Sequence, residues 1–159
     1  MMTIYSQLDP KWSKMPIGKT KITVGQQGCT LTDICMVASY FGETITPAQL
    51  SAVPGLFNKD AKIIWSVLNK VFKTFQWDYR GYGNQSAKIK QHLTDPNKAV
   101  ILQVNNEQHW VLPTKTTPDN KSYAIIDPWG GVRIPDVIKK YKNITGSSYF
   151  SRKITMVKK

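Results

Sequence analysis

The feature that most constrains the fold is a change of hydrophobic period near residue 99. Downstream of it lie three short apolar runs: "AVILQV" (99–104), "HWVLPT" (109–114) and "SYAIID" (122–127). Their length and β-branched content predict strands, the first of them central in a sheet. The last two flank "KTTPDNK", whose proline and Asp-Asn pair predict a turn. A short helix or turn is expected near 135–141 and a final strand near 149–156. Upstream the periodicity is helical. Helices first and an antiparallel sheet second predict an α+β fold.

Upstream of the change, residues 1–28 read as irregular, broken by Pro10, Pro16, Gly18, Gly25 and Gly28. Only "TKITV" suggests a short strand. A helix is predicted over 29–41, where Leu31, Ile34, Cys35, Ala38 and Phe41 recur on one face and Gly42 ends it. Thr46 and Pro47 predict a second, short helix as cap and first turn. A third helix is predicted over 61–73, capped by Asp60, with Ile63, Ile64, Val67, Leu68 and Val71 on its buried face. "SAKIKQHL" predicts a fourth over 86–93, capped by Ser86 and ended by Asp95 and Pro96. The 159 residues, 41% of them apolar, suit one domain spanning 1–159 with a real core.

The formal charge is +12. Residues 1–80 carry nine basic and five acidic side chains, and residues 81–159 carry thirteen and five. The excess favours anionic partners: nucleic acid, anionic cell-wall polymers or an acidic membrane surface. No zinc finger, RNA-recognition signature or basic reading helix is present, so a nucleic-acid-binding module is disfavoured. No run approaches the roughly 20 apolar residues of a membrane span. The N-terminus has no signal-peptide pattern, so a cytoplasmic location as synthesised is expected, with release at lysis or incorporation in a virion as further possibilities. The two cysteines, Cys29 and Cys35, have no metal-ligand spacing, and no metal or other cofactor is expected. On one helix they would stand about 9 Å apart along the axis, too far for a disulfide.

The chemistry concentrates in "QQGCTLTD", Gln26 to Asp33. Cys29 follows a glycine at the predicted helix start, where unpaired N–H groups and the helix dipole favour a thiolate. Gly28 would allow a tight entry to the helix and leave room for a substrate backbone. If the later hairpin turns about Pro118, His109 and Asp127 lie directly opposite, about 5 Å apart at their Cβ atoms. A carboxylate there would orient the imidazole. The Cys29 N–H and a glutamine side chain, from Gln7, Gln26 or Gln27, would form an oxyanion hole. Each part also has a bland reading: Cys29 and Cys35 as core, His109 as a structural histidine, Asp127 as a turn residue. The order Cys, His, Asp is what gives the set its chemical meaning.

With "YSQLDPKW", "TVGQQGCTLTDICMVASYFG", "HWVL" and "YAIIDPWGG" in this order, the chain resembles the C39-like group of papain-fold cysteine peptidases from about Tyr5 to Gly131. The resemblance implies a papain-like fold with N-terminal helices packed against an antiparallel sheet. It puts the nucleophile on Cys29, the general base on His109, the orienting acid on Asp127 and the oxyanion glutamine on Gln7. One departure stands out. Papain-like enzymes keep that glutamine about six residues before the cysteine, where this chain has Thr23. Neither a membrane region nor an ATP-binding domain accompanies the motifs, which fits a free-standing peptidase.

The activity so implied is amide hydrolysis through a thioester, with Trp110 and Trp129 as cleft walls or, alternatively, core residues. The substrate is a peptide or a peptidoglycan crosslink, the latter as a phage or bacterial lysin whose basic surface meets anionic wall polymers. The competing reading is an inactive papain-fold structural or virion protein.

Overall fold

The computed structural model describes residues 2–154. Helices α1 (Val24–Gln27), α2 (Cys29–Tyr40) and α3 (Pro47–Ser51) come first, and α4 (Leu68–Val71) follows a 3-10 turn at Trp65–Val67. Strand β1 (Phe75–Tyr82), helix α5 (Ser86–Thr94), strands β2 (Lys98–Val104), β3 (His109–Thr116), β4 (Tyr123–Asp127) and β5 (Val132–Ile134), helix α6 (Val137–Tyr141) and strand β6 (Ile144–Arg152) complete the order. The six strands form one antiparallel sheet in the order β1-β6-β2-β3-β4-β5. The expected α+β architecture is therefore present. Among the described residues no helix is long and apolar enough to cross a membrane.

Both faces of the sheet are covered, which is why "AVILQV" is apolar on both sides apart from Gln103. On one face Ile101, Leu112, Ile126 and Phe150 pack against α2, α3 and α4 through Ile34, Met36, Leu50 and Leu68. On the other, Val100, Leu102, Val111, Ile125 and Tyr149 pack with Ile89 of α5 and Val137 of α6. Helix α2 is buried on every side from Leu31 to Ala38, beyond the single apolar stripe its spacing suggested. It is the central helix of the molecule.

Several local expectations are corrected. "TKITV" makes no strand: Thr23 caps α1 in a reciprocal capping box with Gln26, and only an isolated bridge joins Pro16 to Thr23. The helix over 61–73 shrinks to Leu68–Val71 and its preceding 3-10 turn. The cause is turn chemistry. The Asn58 side chain accepts the Asp60 and Lys62 N–H groups, Ala61 sits at φ 61°, and Phe57 bridges Ile63. Asp60 therefore caps nothing, and Ile64 is exposed. Ser86 opens α5 rather than capping it, since Gln85 holds the cap position. The last strand begins at Ile144 rather than near 149 and ends at Arg152, while residues 155–156 of the expectation lie outside the described residues. Strand β1, with its alternating polar residues, had no counterpart in the sequence reading.

The β3–β4 hairpin pairs Leu112 with Ile126 and Pro113 with Ile125, two residues away from the register centred on Pro118. A bulge at Thr114 and a turn closed by Thr117 N–H to Ser122 O at 2.9 Å account for the shift. His109 and Asp127 are thus not directly opposite. A slip of two residues keeps every side chain on its face.

Candidate active site

The site forms where three chain segments meet at one end of β3 and β4. Gly28 joins α1 to α2 without a side-chain cap. A Cβ there would strike the Val24 carbonyl oxygen and stand 2.7 Å from Val24 Cγ1. Glycine is therefore required by the protein's own packing, and Gly28 does not line the cleft described below. The tight junction sets Cys29 at the first position of α2, where helix geometry leaves backbone N–H groups unpaired. His109 is the first residue of β3 and pairs with Val104 across the Asn105–Gln108 turn. Asp127 is the last residue of β4.

His109 Nε2 lies 2.7 Å from Asp127 Oδ1, which leaves Nδ1 for the sulfur. Asp127 is 2% exposed and fully engaged. Its Oδ1 also accepts the Trp129 N–H at 2.9 Å, and its Oδ2 accepts the Tyr141 hydroxyl. The Tyr141 ring stands 5.3 Å from the imidazole. Thr30 Oγ1 lies 4.0 Å from Cys29 Sγ.

The electrostatics follow from these contacts. Burial alone would raise the Cys29 thiol pKa. Hydrogen bonding and attraction from His109, aided by the Trp110 N–H and Thr30, reverse this and leave it below the ordinary value. Burial pulls His109 down, but the Asp127 hydrogen bond and the interaction with Cys29 lift it to about 9. Burial raises Asp127, and its bonds to His109 and Tyr141 outweigh that and lower it. Burial and the Asp127 carboxylate push Tyr141 up, so it remains a donor. The arrangement favours a thiolate–imidazolium pair over the neutral pair.

The three candidate glutamines line the same cleft but differ in freedom. Gln7 is 2% exposed, and its backbone N–H donates to Pro128 O at 2.8 Å, pinning the N-terminal segment to the turn after β4. Its Nε2 donates to Gly25 O at 3.2 Å, with Val24 O at 3.5 Å. The Trp12 indole N–H on Ser6 O, at 2.7 Å, braces this segment. Gln26 is exposed, with its side chain spent on the Thr23 N–H at 3.0 Å. Gln27 is exposed.

The cleft has a volume of about 790 Å³. Cys29, His109, Trp110, Trp129 and Tyr141 line it, and Phe57, Ile63 and Trp65 form an apolar part of its wall. Trp110 is both wall and core: it is buried, with its ring 5.4 Å from that of Trp65. Trp129 is 52% exposed at the rim. Cys35 is wholly buried, and burial with the nearby Asp33 pushes its thiol well up.

Residues 19–147 match the profile of the Peptidase C39 family. The chain belongs to that family. It is accordingly a cysteine peptidase. A solved structure of a double glycine motif protease from an AMS/PCAT transporter, in complex with the leader peptide, is similar over 96% of this chain and 93% of its own. The TM-score is 0.61 and the identity 18%, a likeness that establishes the shared papain-like fold. No curated protein matches the chain.

Two residues around this candidate site escaped the sequence reading. Tyr141 arrives from α6, and nothing in "VIKKY" marks it. Asp33 had a legible signal, an acid one helical turn after Cys29 inside an apolar helix. It is fully buried, and neither carboxyl oxygen has a partner among the described residues. Burial, then the Cys29 and Asp127 charges, raise its pKa well above the carboxylate range.

Proposed function

We propose that Cys29, His109 and Asp127 act as the catalytic triad of this peptidase. The carrying observation is that His109 is bonded to a fully engaged Asp127 and lines the same open cleft as Cys29. The Cys29 thiolate attacks the amide carbonyl, and the imidazolium gives its proton to the leaving amine. Neutral His109 then takes a proton from water, which hydrolyses the thioester. Asp127, itself held by Tyr141 and Trp129, fixes the ring. The Cys29 N–H and the Gln7 side-chain amide stabilise the oxyanion. Gln7 is preferred over Gln26 and Gln27 because it alone is buried and braced. Trp110 and Trp129 wall the substrate groove.

The substrate is a peptide lying along the cleft. The leader peptide bound by the similar transporter protease supports this class. The formal charge of +12 favours peptides embedded in anionic polymer, and so a lysin acting on peptidoglycan.

Cys29→Ala and Cys29→Ser should each abolish peptide hydrolysis with circular dichroism unchanged, and activity retained in either would refute the covalent route. Iodoacetamide at neutral pH should label Cys29 rapidly and Cys35 hardly at all, and equal labelling would contradict the assignment. A peptidoglycan zymogram decides the substrate: clearing by the wild type and not by Cys29→Ala supports the wall reading. Peptide cleavage without clearing refutes it.

A further inference from the structure

Arg80 lines the same cleft as Cys29 and His109, yet it belongs to β1, two strands away from β2 in the sheet. Its side chain crosses β6 to get there. The crossing is possible because position 146 has no side chain: a Cβ on Gly146 would stand 2.5 Å from Arg80 Nη1 and 2.9 Å from Gln103 Oε1. At the far end Nη2 donates to Gln103 Oε1 at 3.2 Å, and Nη1 donates to Gly81 O. The guanidinium carbon lies 4.1 Å from the Tyr82 ring centroid and 5.0 Å from that of Trp110. Gln103 is fixed in turn, donating from Nε2 to Glu107 O and accepting from Thr145 Oγ1. Arg80 is thus a half-buried, oriented cation built into the wall.

All of these partners are neutral. Among the described residues the sole ion pair is His109–Asp127, so Arg80 has no carboxylate. Glu107 also lines the cleft but is exposed and makes no ion pair with it. A guanidinium has five N–H donors, and two are used here. The rest form a planar fork suited to a carboxylate. Trp110, which carries Arg80 on its ring, lines the same cleft as Cys29 and His109, so the guanidinium and the reacting centre share one cavity.

We propose that Arg80 anchors a subsite for a carboxylate of the peptide substrate, either an acidic side chain or a free C-terminal carboxylate. The inference rests on the peptidase reading above and adds a specificity to it. Lys62 is the other cation lining the cleft, but it is exposed and has no comparable brace.

The test uses N-acetylated decapeptides of randomised sequence, prepared as C-terminal acids and as amides, with cleavage products read by mass spectrometry. Preferred sequences are then remade in matched pairs, Asp or Glu against Asn or Gln, and acid against amide. The wild type should favour the charged member of one pair type about tenfold or more in kcat/KM, chiefly through KM, as expected for a charge-assisted hydrogen bond. Which pair type responds identifies the source. Arg80→Gln should bring the ratio to about one, and Gly146→Ala, which displaces the guanidinium, should reduce it. The ratio is internal to each variant, so loss of folded protein does not alter it. Equal cleavage of both members by the wild type, or an unchanged ratio in Arg80→Gln, would overturn the proposal. Calorimetric binding of the same pairs to Cys29→Ala reads the subsite without turnover, so failure of the triad reading and failure of the subsite are separable.

Discussion

Asp33 offers the sharpest test of the buried electrostatics. Its carboxyl is enclosed without a partner among the described residues, so its native state keeps the proton at pH values where an unfolded chain releases it. A group with a raised native pKa binds more protons folded than unfolded, and stability then falls as pH rises. The loss begins near the ordinary carboxylate value. It accrues at up to about 1.4 kcal/mol per pH unit and stops once pH passes the raised native value. Asp33→Asn is nearly isosteric and cannot ionise. At pH 3.5 the two proteins should differ by less than about 1 kcal/mol, since both bury a neutral polar group. At pH 7 the variant should be the more stable by up to about 4 kcal/mol, the slope accumulated between the ordinary carboxylate value and pH 7. Urea unfolding followed by tryptophan fluorescence between pH 3.5 and 7 measures the difference. Repeating it in a Cys29→Ser background removes the thiolate that opposes Asp33 ionisation. A constant offset at all pH values, or a wild type gaining on the variant as pH rises, would mean that the carboxylate is charged and partnered. A second readout agrees in sign: if Asp33 is neutral, the pH profile of Cys29 alkylation is nearly unchanged in Asp33→Asn.

The thiolate–imidazolium pair predicts a bell-shaped kcat/KM profile whose alkaline limb lies near 9, where His109 loses its proton. Asp127→Asn removes the carboxylate that lifts His109, so this limb should move to lower pH, and an unmoved limb would contradict the coupling. Tyr141→Phe deletes the hydroxyl donor to Asp127 Oδ2. It should lower kcat about tenfold or somewhat more, as expected for one hydrogen bond to a charged group, with little change in KM. An unchanged kcat would show the contact to be incidental.

The candidate site was legible in the sequence to the extent that local signals survive tertiary packing. Cys29 follows from a glycine and a helix start, and both held because Gly28 is fixed by its closeness to Val24. The His109–Asp127 contact was inferred through a register that is two residues off. It survived because face alternation, not exact opposition, decides which side chains can meet. The 61–73 helix failed for the converse reason. Its apolar period was genuine, but the Asn58 turn and the left-handed Ala61 overrode it. Arg80 was unreadable in principle, since its access depends on a glycine 66 positions later on a neighbouring strand.

Helix α2 shows how one scaffold gives two like groups opposite chemistry. Cys29 and Cys35 share the helix and are both buried, so desolvation pushes both thiols upward. Only Cys29 has donors able to reverse that push: the imidazole, the Trp110 N–H and the Thr30 hydroxyl. Cys35 has no such donor, and the Asp33 carboxyl, once ionised, raises it further. The 8% of Cys29 surface that stays open belongs to a cleft-lining residue, whereas Cys35 has none. Reactivity is thus set by what faces the sulfur rather than by depth, because the depth is nearly the same. The same logic ties Asp33 to the site. An ionised carboxylate one turn below Cys29 would oppose the thiolate, so a fold that keeps Asp33 dry and unpaired also keeps it neutral, and the thiolate retains its only strong partner, His109.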